Sequence, residues 1–165
     1  MSTTIDPGLP SVGDPAPALA LPDDAGTVRD LASERGRWVV IFFYPKDDTP
    51  GCTTEACQFR DVYGDFAEVD AVVWGVSILD SDSKAAFKRR YMLPFPLLAD
   101  EDHAVAERYG VWVEKRSYGR TSMGVLRATF LIDPDGRVAH VWPSVRPDGH
   151  AAEVLDVLRS LSGVV

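Results

Sequence analysis

The chain has 165 residues and two cysteines, Cys52 and Cys57. Both fall in "YPKDDTPGCTTEAC", Tyr44 to Cys57. Their spacing is too long for a C-x-x-C redox pair, and no second pair completes a zinc site. Cys52 follows an apolar run and a Pro-Gly turn, and it opens a helical pattern. Free backbone N–H groups and the helix dipole favour an anion there. A thiol in that place is expected to be a thiolate that reacts near neutral pH. Pro45 and Pro50 stiffen the connecting loop, and Thr49, three residues before Cys52, can set a hydroxyl on the thiolate's side. The same residues also read as a small buried hydrophobe and a helix cap.

Cys57 constrains the choice by geometry. In a regular helix, residues five apart have Cα atoms ~8–9 Å apart and side chains ~140° apart. A disulfide wants Cα atoms closer than ~7 Å. A static bond is therefore disfavoured, whereas a bond made transiently by unwinding the first turns is allowed, and a core role for Cys57 stays open. Three scattered histidines, His103, His140 and His150, show no ligand spacing and read as surface or capping residues. Glu55, one turn from Cys52, reads as favourable charge at a helix N-terminus. Phe43, Tyr44 and Phe59 read as core or pocket wall.

The elements that must position these residues follow from periodicity. "ALAL" (Ala18–Leu21) and "GTVRDL" (Gly26–Leu31) form a short hairpin around "PDDA". "RWVVIFFY" (Arg37–Tyr44) is a strand buried on both faces. Phe59, Val62, Phe66 and Val69 predict one helix from Cys52 to about Val69. "AVVWGVSI" (Ala71–Ile78) is a second buried strand, "SDSKAAFKRRY" (Ser81–Tyr91) a capped helix, "FPLLAD" a short strand and "HAVAERYGV" (His103–Val111) a short helix. Trp112–Met123 reads as a loop. "GVLRATFLI" (Gly124–Ile132) is a strand that pairs with "RVAHVW" (Arg137–Trp142) across "DPDG". "HAAEVLDVLRSL" (His150–Leu161) closes the chain. This order predicts an α/β fold, a central mixed sheet flanked by helices. Residues 1–11 are expected to be a flexible lead-in and 12–165 a single domain.

Composition narrows the functional classes. Apolar residues make up 45% and charged residues 25%, so the core needs no disulfide staples. The net charge of −8 argues against nucleic acid as a partner. The first residues lack the basic and apolar regions of a signal peptide, and no apolar run reaches the ~20 residues of a membrane span. The expected setting is the reducing cytoplasm, away from membranes, where sparse paired cysteines are more often catalytic or metal-binding than structural.

"FFYPKDDTPGCTTEACQFRD" resembles the active-site segment of the peroxiredoxins, of the PrxQ or bacterioferritin-comigratory-protein group. Pro45, Thr49 and Cys52 meet the pattern Pro-x-x-x-Thr-x-x-Cys. "RATFLID", which carries Arg127, together with "DPDGRV" and "GHAAEVL", extends the likeness over about residues 12–162. The resemblance implies a thioredoxin-like fold and a thiol peroxidase that reduces hydrogen peroxide and organic hydroperoxides. Cys52 would be the peroxidatic cysteine, oxidised to a sulfenic acid. Cys57 would be the resolving cysteine, forming an intramolecular disulfide with Cys52 that thioredoxin or a similar dithiol reduces. Thr49 and Arg127 would bind the peroxide and stabilise the leaving oxygen. Pro45 would shield the pocket. No metal, haem or flavin is required, and a monomer suffices because the resolving thiol lies in the same helix. Arg127 taken alone reads as a surface arginine on a strand. Two other functions use the same thiol: a disulfide oxidoreductase, disfavoured by the missing C-x-x-C, and a peroxide sensor that passes its oxidation to a partner.

Overall fold

The structure is a computed structural model that describes residues 8–163. Most of the lead-in expected over residues 1–11 lies outside the described residues. The element order is β1 (Ala20–Pro22), β2 (Val28–Asp30), β3 (Trp38–Phe43), α1 (Pro50–Asp61), α2 (Tyr63–Glu68), β4 (Ala71–Ser77), α3 (Ser81–Tyr91), β5 (Leu97–Ala99), α4 (Ala104–Arg108), β6 (Trp112–Ser117), β7 (Arg120–Val125), β8 (Ala128–Ile132), β9 (Val138–Trp142) and α5 (His150–Ser162). A short 3-10 turn, Leu31–Glu34, follows β2. The central sheet has the order β5-β4-β3-β8-β9. Strands β3, β4 and β5 run parallel, and β8 and β9 are antiparallel to their neighbours. This is the mixed sheet that the sequence predicts.

Strand β3 explains why the run Trp38–Tyr44 is apolar throughout. Val40, Phe42 and Tyr44 point into one core, with Phe59 of α1, Phe66 of α2, Phe87 of α3 and Val154 and Leu158 of α5. Val39, Ile41 and Phe43 point into the other, with Leu19, Leu31, Val105, Tyr109 and Phe130. Alternate residues of a strand face opposite sides, so a central strand covered on both faces has no polar position to spare.

Four expectations change. The single helix Cys52–Val69 divides at Val62, whose φ of −112° and ψ of 14° leave helical geometry. β-branched Val62 and Gly64 are poor helix formers, and both Phe59 and Phe66 are buried, their rings 5.9 Å apart. The expected loop Trp112–Met123 lies in the β6–β7 hairpin, paired from Trp112↔Val125 to Ser117↔Arg120. Its turn residues Tyr118 and Gly119 both have positive φ, 54° and 76°, as a two-residue hairpin turn demands. The expected strand Gly124–Ile132 is two strands, with Leu126 and Arg127 between them. The short helix expected over His103–Val111 is confined to Ala104–Arg108.

Candidate active site

The site begins where β3 ends. Tyr44 leads into a short loop, and α1 starts at Pro50 with Thr49 as its N-cap in extended backbone. Proline suits this first helical position because its missing N–H would have no partner there. Cys52 is the third helical residue. Its backbone N–H therefore belongs to the set that has no intrahelical acceptor and points out of the helix start. The Cys52 side chain is buried, packed into the same core as Phe42, Tyr44, Ala56 and Phe59.

Arg127 reaches this thiol across 75 residues of chain because of the sheet register. Ala128 pairs with Phe43, the last residue of β3, so Arg127 stands one step beyond that pair. Its Nη2 donates to Cys52 Sγ at 3.4 Å and its Nη1 to Glu55 Oε1 at 2.8 Å. A Cβ on Gly51 would sit 3.1 Å from that Nη2, so the glycine leaves the room in which the guanidinium approaches the helix. Burial works against the guanidinium's charge, but the Cys52 thiolate and Glu55 outweigh it and hold Arg127 above the ordinary arginine range.

The structure brings together Cys52, Arg127 and the loop that carries Pro45 and Thr49. The Thr49 hydroxyl donates to the Lys46 carbonyl at 2.9 Å and makes no capping bond to α1. Cys57 is half-buried in the same unbroken helix as Cys52, and both cysteines are free. Their separation is thus that of a regular helix, too wide for a disulfide. Arg127 lies in the two-residue link before β8 and not on the strand itself.

Glu55 exceeds what the sequence predicts for it. It is fully buried, Arg127 holds one of its oxygens, and Oε2 has no hydrogen-bond partner. Burial raises its carboxyl to about 7, and Arg127 opposes only part of that rise. The signal available in the sequence is its spacing: residues three apart share a helix face. A carboxyl one turn from a reactive thiol therefore lies beside whatever cation that thiol attracts.

A second polar cluster underlies the loop. Asp47 accepts from the Tyr44 hydroxyl at 2.5 Å, from Ser83 Oγ at 2.8 Å and from Lys84 Nζ at 3.2 Å. Lys84 is fully buried, also donates to Ser77 Oγ at 2.5 Å, and lies 5.4 Å from the Tyr44 ring centre. Burial pulls its ammonium below the usual lysine range, with Asp47 opposing. Nothing in "SDSKAAFKRRY" distinguishes Lys84 from the helix's other cations, Lys88, Arg89 and Arg90, because its partner Asp47 lies 37 residues away.

His150 is also buried, contrary to the surface or capping role expected of it. Its Nε2 lies 2.8 Å from Thr129 Oγ1 and its Nδ1 3.1 Å from Glu153. Burial lowers its readiness to take a proton. His103 stacks on Trp112 with ring centres 4.1 Å apart. Among the described residues, no group of three or more His, Cys, Asp or Glu side chains is placed to hold a metal ion. Among them, too, no helix is long and apolar enough to cross a membrane.

Comparisons with known proteins meet this geometry. The AhpC/TSA family matches residues 12–141. Peroxiredoxin Bcp of Bacillus subtilis is 46% identical over 151 residues, 92% of this chain and 96% of the relative. Peroxiredoxin Bcp of Escherichia coli K12 is 40% identical over 147 residues, 89% and 94% of the two chains. Among solved structures, the bacterioferritin comigratory protein of Xanthomonas campestris superposes with a TM-score of 0.84 at 38% identity, covering 87% of this chain and 92% of its own. A buried cysteine at a helix start, an arginine delivered to it by the adjoining strand and likeness along nearly the whole chain agree: the protein belongs to the AhpC/TSA family, among the peroxiredoxins of the Bcp and PrxQ kind.

Proposed function

We propose that this protein is a thioredoxin-dependent thiol peroxidase that reduces hydrogen peroxide and organic hydroperoxides in antioxidant defence. The observation that carries the reading is Arg127 Nη2 at 3.4 Å from the buried Cys52 Sγ. The X. campestris relative, which has alkyl peroxide reduction activity, supports the organic substrates.

The Cys52 thiolate attacks one peroxide oxygen. The O–O bond breaks, the sulfur keeps one oxygen as sulfenic acid, and the other oxygen leaves as water or an alcohol after taking a proton. Negative charge gathers on the leaving oxygen in the transition state. Arg127 supplies a fixed donor, Nη2, and lasting charge where that oxygen departs, and the Cys52 backbone N–H adds another donor. The proton of the Thr49 hydroxyl is committed to Lys46, so its lone pairs are the part that can hold the peroxide's own hydroxyl. Pro45 closes the loop side against water. Cys57 then displaces hydroxide from the sulfenic acid, giving the Cys52–Cys57 disulfide and water, and a dithiol of the thioredoxin type returns both thiols.

On this reading residues 12–165 act as one domain, as a monomer in the cytoplasm, with no cofactor and with neither nucleic acid nor membrane as partner. The test is thioredoxin-supported consumption of hydrogen peroxide and of an organic hydroperoxide, by the wild type and by Cys52→Ser. Serine is nearly isosteric but not ionised near pH 7, so turnover should vanish while the fold persists. A wild type that consumes only one equivalent, with reductant present, would instead fit a sensor. Retention of most turnover by Cys52→Ser would remove Cys52 from the chemistry.

A further inference from the structure

The loop between β9 and α5, Pro143 to Gly149, runs along the helical segment that carries the two cysteines and bonds to its far end. At the near end, the Pro147 ring lies over Gly51, 3.5 Å from where a Cβ on that glycine would stand. In the middle of the loop, Val145 N–H donates to the Arg127 carbonyl at 3.0 Å. At the far end, Gln58 makes two bonds at once: its Nε2 donates to Asp148 Oδ1 at 2.7 Å, and its Oε1 accepts from Gly149 N–H at 2.8 Å. Gln58 adjoins Cys57. The segment from Gly51 to Gln58 is therefore tied to the loop at Gln58 and faced by it at Gly51, and the loop runs into His150, whose Nε2 lies 2.8 Å from Thr129 Oγ1.

The tied segment is the one that has to unwind. Bringing the Cα atoms of Cys52 and Cys57 from ~8–9 Å to under ~7 Å breaks the helical bonds that span them. In a regular helix one of these runs from the Gln58 N–H to the Thr54 carbonyl. Gln58 cannot leave the helix freely while its side chain holds both Asp148 and Gly149. Phe59, the next residue, is buried in the core and stays.

We propose that Gln58 is a positioning residue for the resolution step, a latch whose two bonds to Asp148 and Gly149 set how readily the Cys52–Cys57 helix opens. This rests on the reading of Cys57 as the resolving thiol. The step it governs is Cys52–SOH plus Cys57–SH giving the S–S bond and water, with no other redox partner. A tight latch slows this step and leaves the sulfenic acid longer in reach of a second peroxide, which converts it to sulfinic acid. Gln58 thus tunes the balance between turnover and inactivation without touching substrate.

The experiment compares wild type, Gln58→Ala, Asp148→Ala and the double variant in two measurements. Hydrogen exchange of amides 53–57 in the reduced proteins reads the opening itself and does not depend on which thiol resolves. Stopped-flow tryptophan fluorescence after one equivalent of hydrogen peroxide reads disulfide formation as a phase separate from oxidation. Two solvent-exposed hydrogen bonds, each near the low end of the usual range, are worth about a three- to tenfold change in an opening equilibrium. Gln58→Ala should speed exchange and the disulfide phase by that factor and lower the sulfinic fraction at excess peroxide. Asp148→Ala should give part of the effect, and the double variant no more than Gln58→Ala alone. Unchanged exchange in Gln58→Ala overturns the latch, and so does faster exchange with an unchanged disulfide phase. A failure of the underlying reading shows itself differently, as wild-type protein in which mass spectrometry finds no Cys52–Cys57 disulfide after peroxide.

Discussion

Arg127 holds Cys52 and Glu55 with the two ends of one guanidinium, Nη2 at 3.4 Å from Sγ and Nη1 at 2.8 Å from the carboxylate oxygen Oε1. The arginine is thereby fixed in direction as well as charge. One nitrogen is committed to Glu55 and the other faces the Cys52 sulfur, where on the proposed mechanism a peroxide would meet the thiol. Preorganised donors of this kind act without reorientation at the moment of reaction.

Arg127→Ala should therefore slow the reaction of Cys52 with peroxide by about a hundred- to a thousandfold, the usual effect of removing one such donor, ~2.7–4 kcal/mol. Reduction of the disulfide by thioredoxin should be spared, because that step requires no charge stabilisation on a peroxide oxygen. Stopped-flow measurement of the oxidation constant checks the first statement, and a single-turnover reduction assay the second. An unchanged oxidation constant would return Arg127 to the role of a surface arginine.

Glu55 gives a stability prediction with a definite sign. Its carboxyl is raised from 4.5 to about 7 by burial, so between those values the folded protein keeps a proton that the unfolded chain releases. Its contribution to stability is present below about 4.5 and is lost as the pH rises through about 7. Glu55→Gln keeps an acceptor for Arg127 and cannot ionise. The urea midpoint of the wild type should fall more than that of Glu55→Gln between pH 5 and pH 8. Parallel pH profiles would mean that the carboxylate is charged throughout.

Much of this site was legible because it is local. The loop and helix start from Tyr44 to Cys57 carry the thiol, the cap, the stiffening prolines and the second cysteine in fourteen consecutive residues. The strand Trp38–Phe43 declares itself by unbroken apolarity, since it has a core on both faces. What stayed hidden depends on long-range pairing. Nothing near Lys84 announces a buried ammonium, because its burial follows from Asp47 and Ser77 arriving from two other segments. The β6–β7 hairpin was missed for a different reason. Glu114, Arg116, Arg120, Thr121 and Ser122 are exposed, so the arm lacks the apolar alternation that marks a half-buried strand. Arg127 needed both kinds of information, since its approach to Cys52 follows from the Phe43↔Ala128 register and only its residue type is local.

The buried Asp47–Lys84 pair should stabilise the loop that leads to Cys52. Asp47→Ala leaves a fully buried ammonium with only the Ser77 hydroxyl among its two hydrogen-bond partners. Breaking a buried pair from one side typically costs about 3–5 kcal/mol. Lys84→Met should cost less, because Asp47 keeps donors from Tyr44 and Ser83 and the methionine stem fills the space. Urea denaturation of the two variants orders them. Equal losses would show that the pair contributes through packing and not through charge compensation.

The two cysteines make the last prediction one about movement. Cys52 and Cys57 lie in a single helix from Pro50 to Asp61, with Cys52 buried and Cys57 half-buried. Helical geometry keeps their Cα atoms ~8–9 Å apart, beyond disulfide reach. Oxidation should therefore unwind the first turn or two of α1 and release the contact between Arg127 and Cys52. Amides 53–60 should be protected from hydrogen exchange in the reduced protein and lose protection in the disulfide form. Equal protection in the two states would rule out the unwinding. Cys57→Ser should still reduce one equivalent of peroxide, because Cys52, Arg127 and Thr49 are untouched. It should then stall with thioredoxin and accumulate sulfinic acid on Cys52, since the sulfenic acid has lost its intramolecular partner and only a second peroxide remains to consume it. Mass spectrometry of Cys57→Ser after excess peroxide measures that accumulation. Undiminished thioredoxin-supported turnover by the same variant would place the resolving thiol outside this chain, because Cys52 and Cys57 are the only cysteines it has.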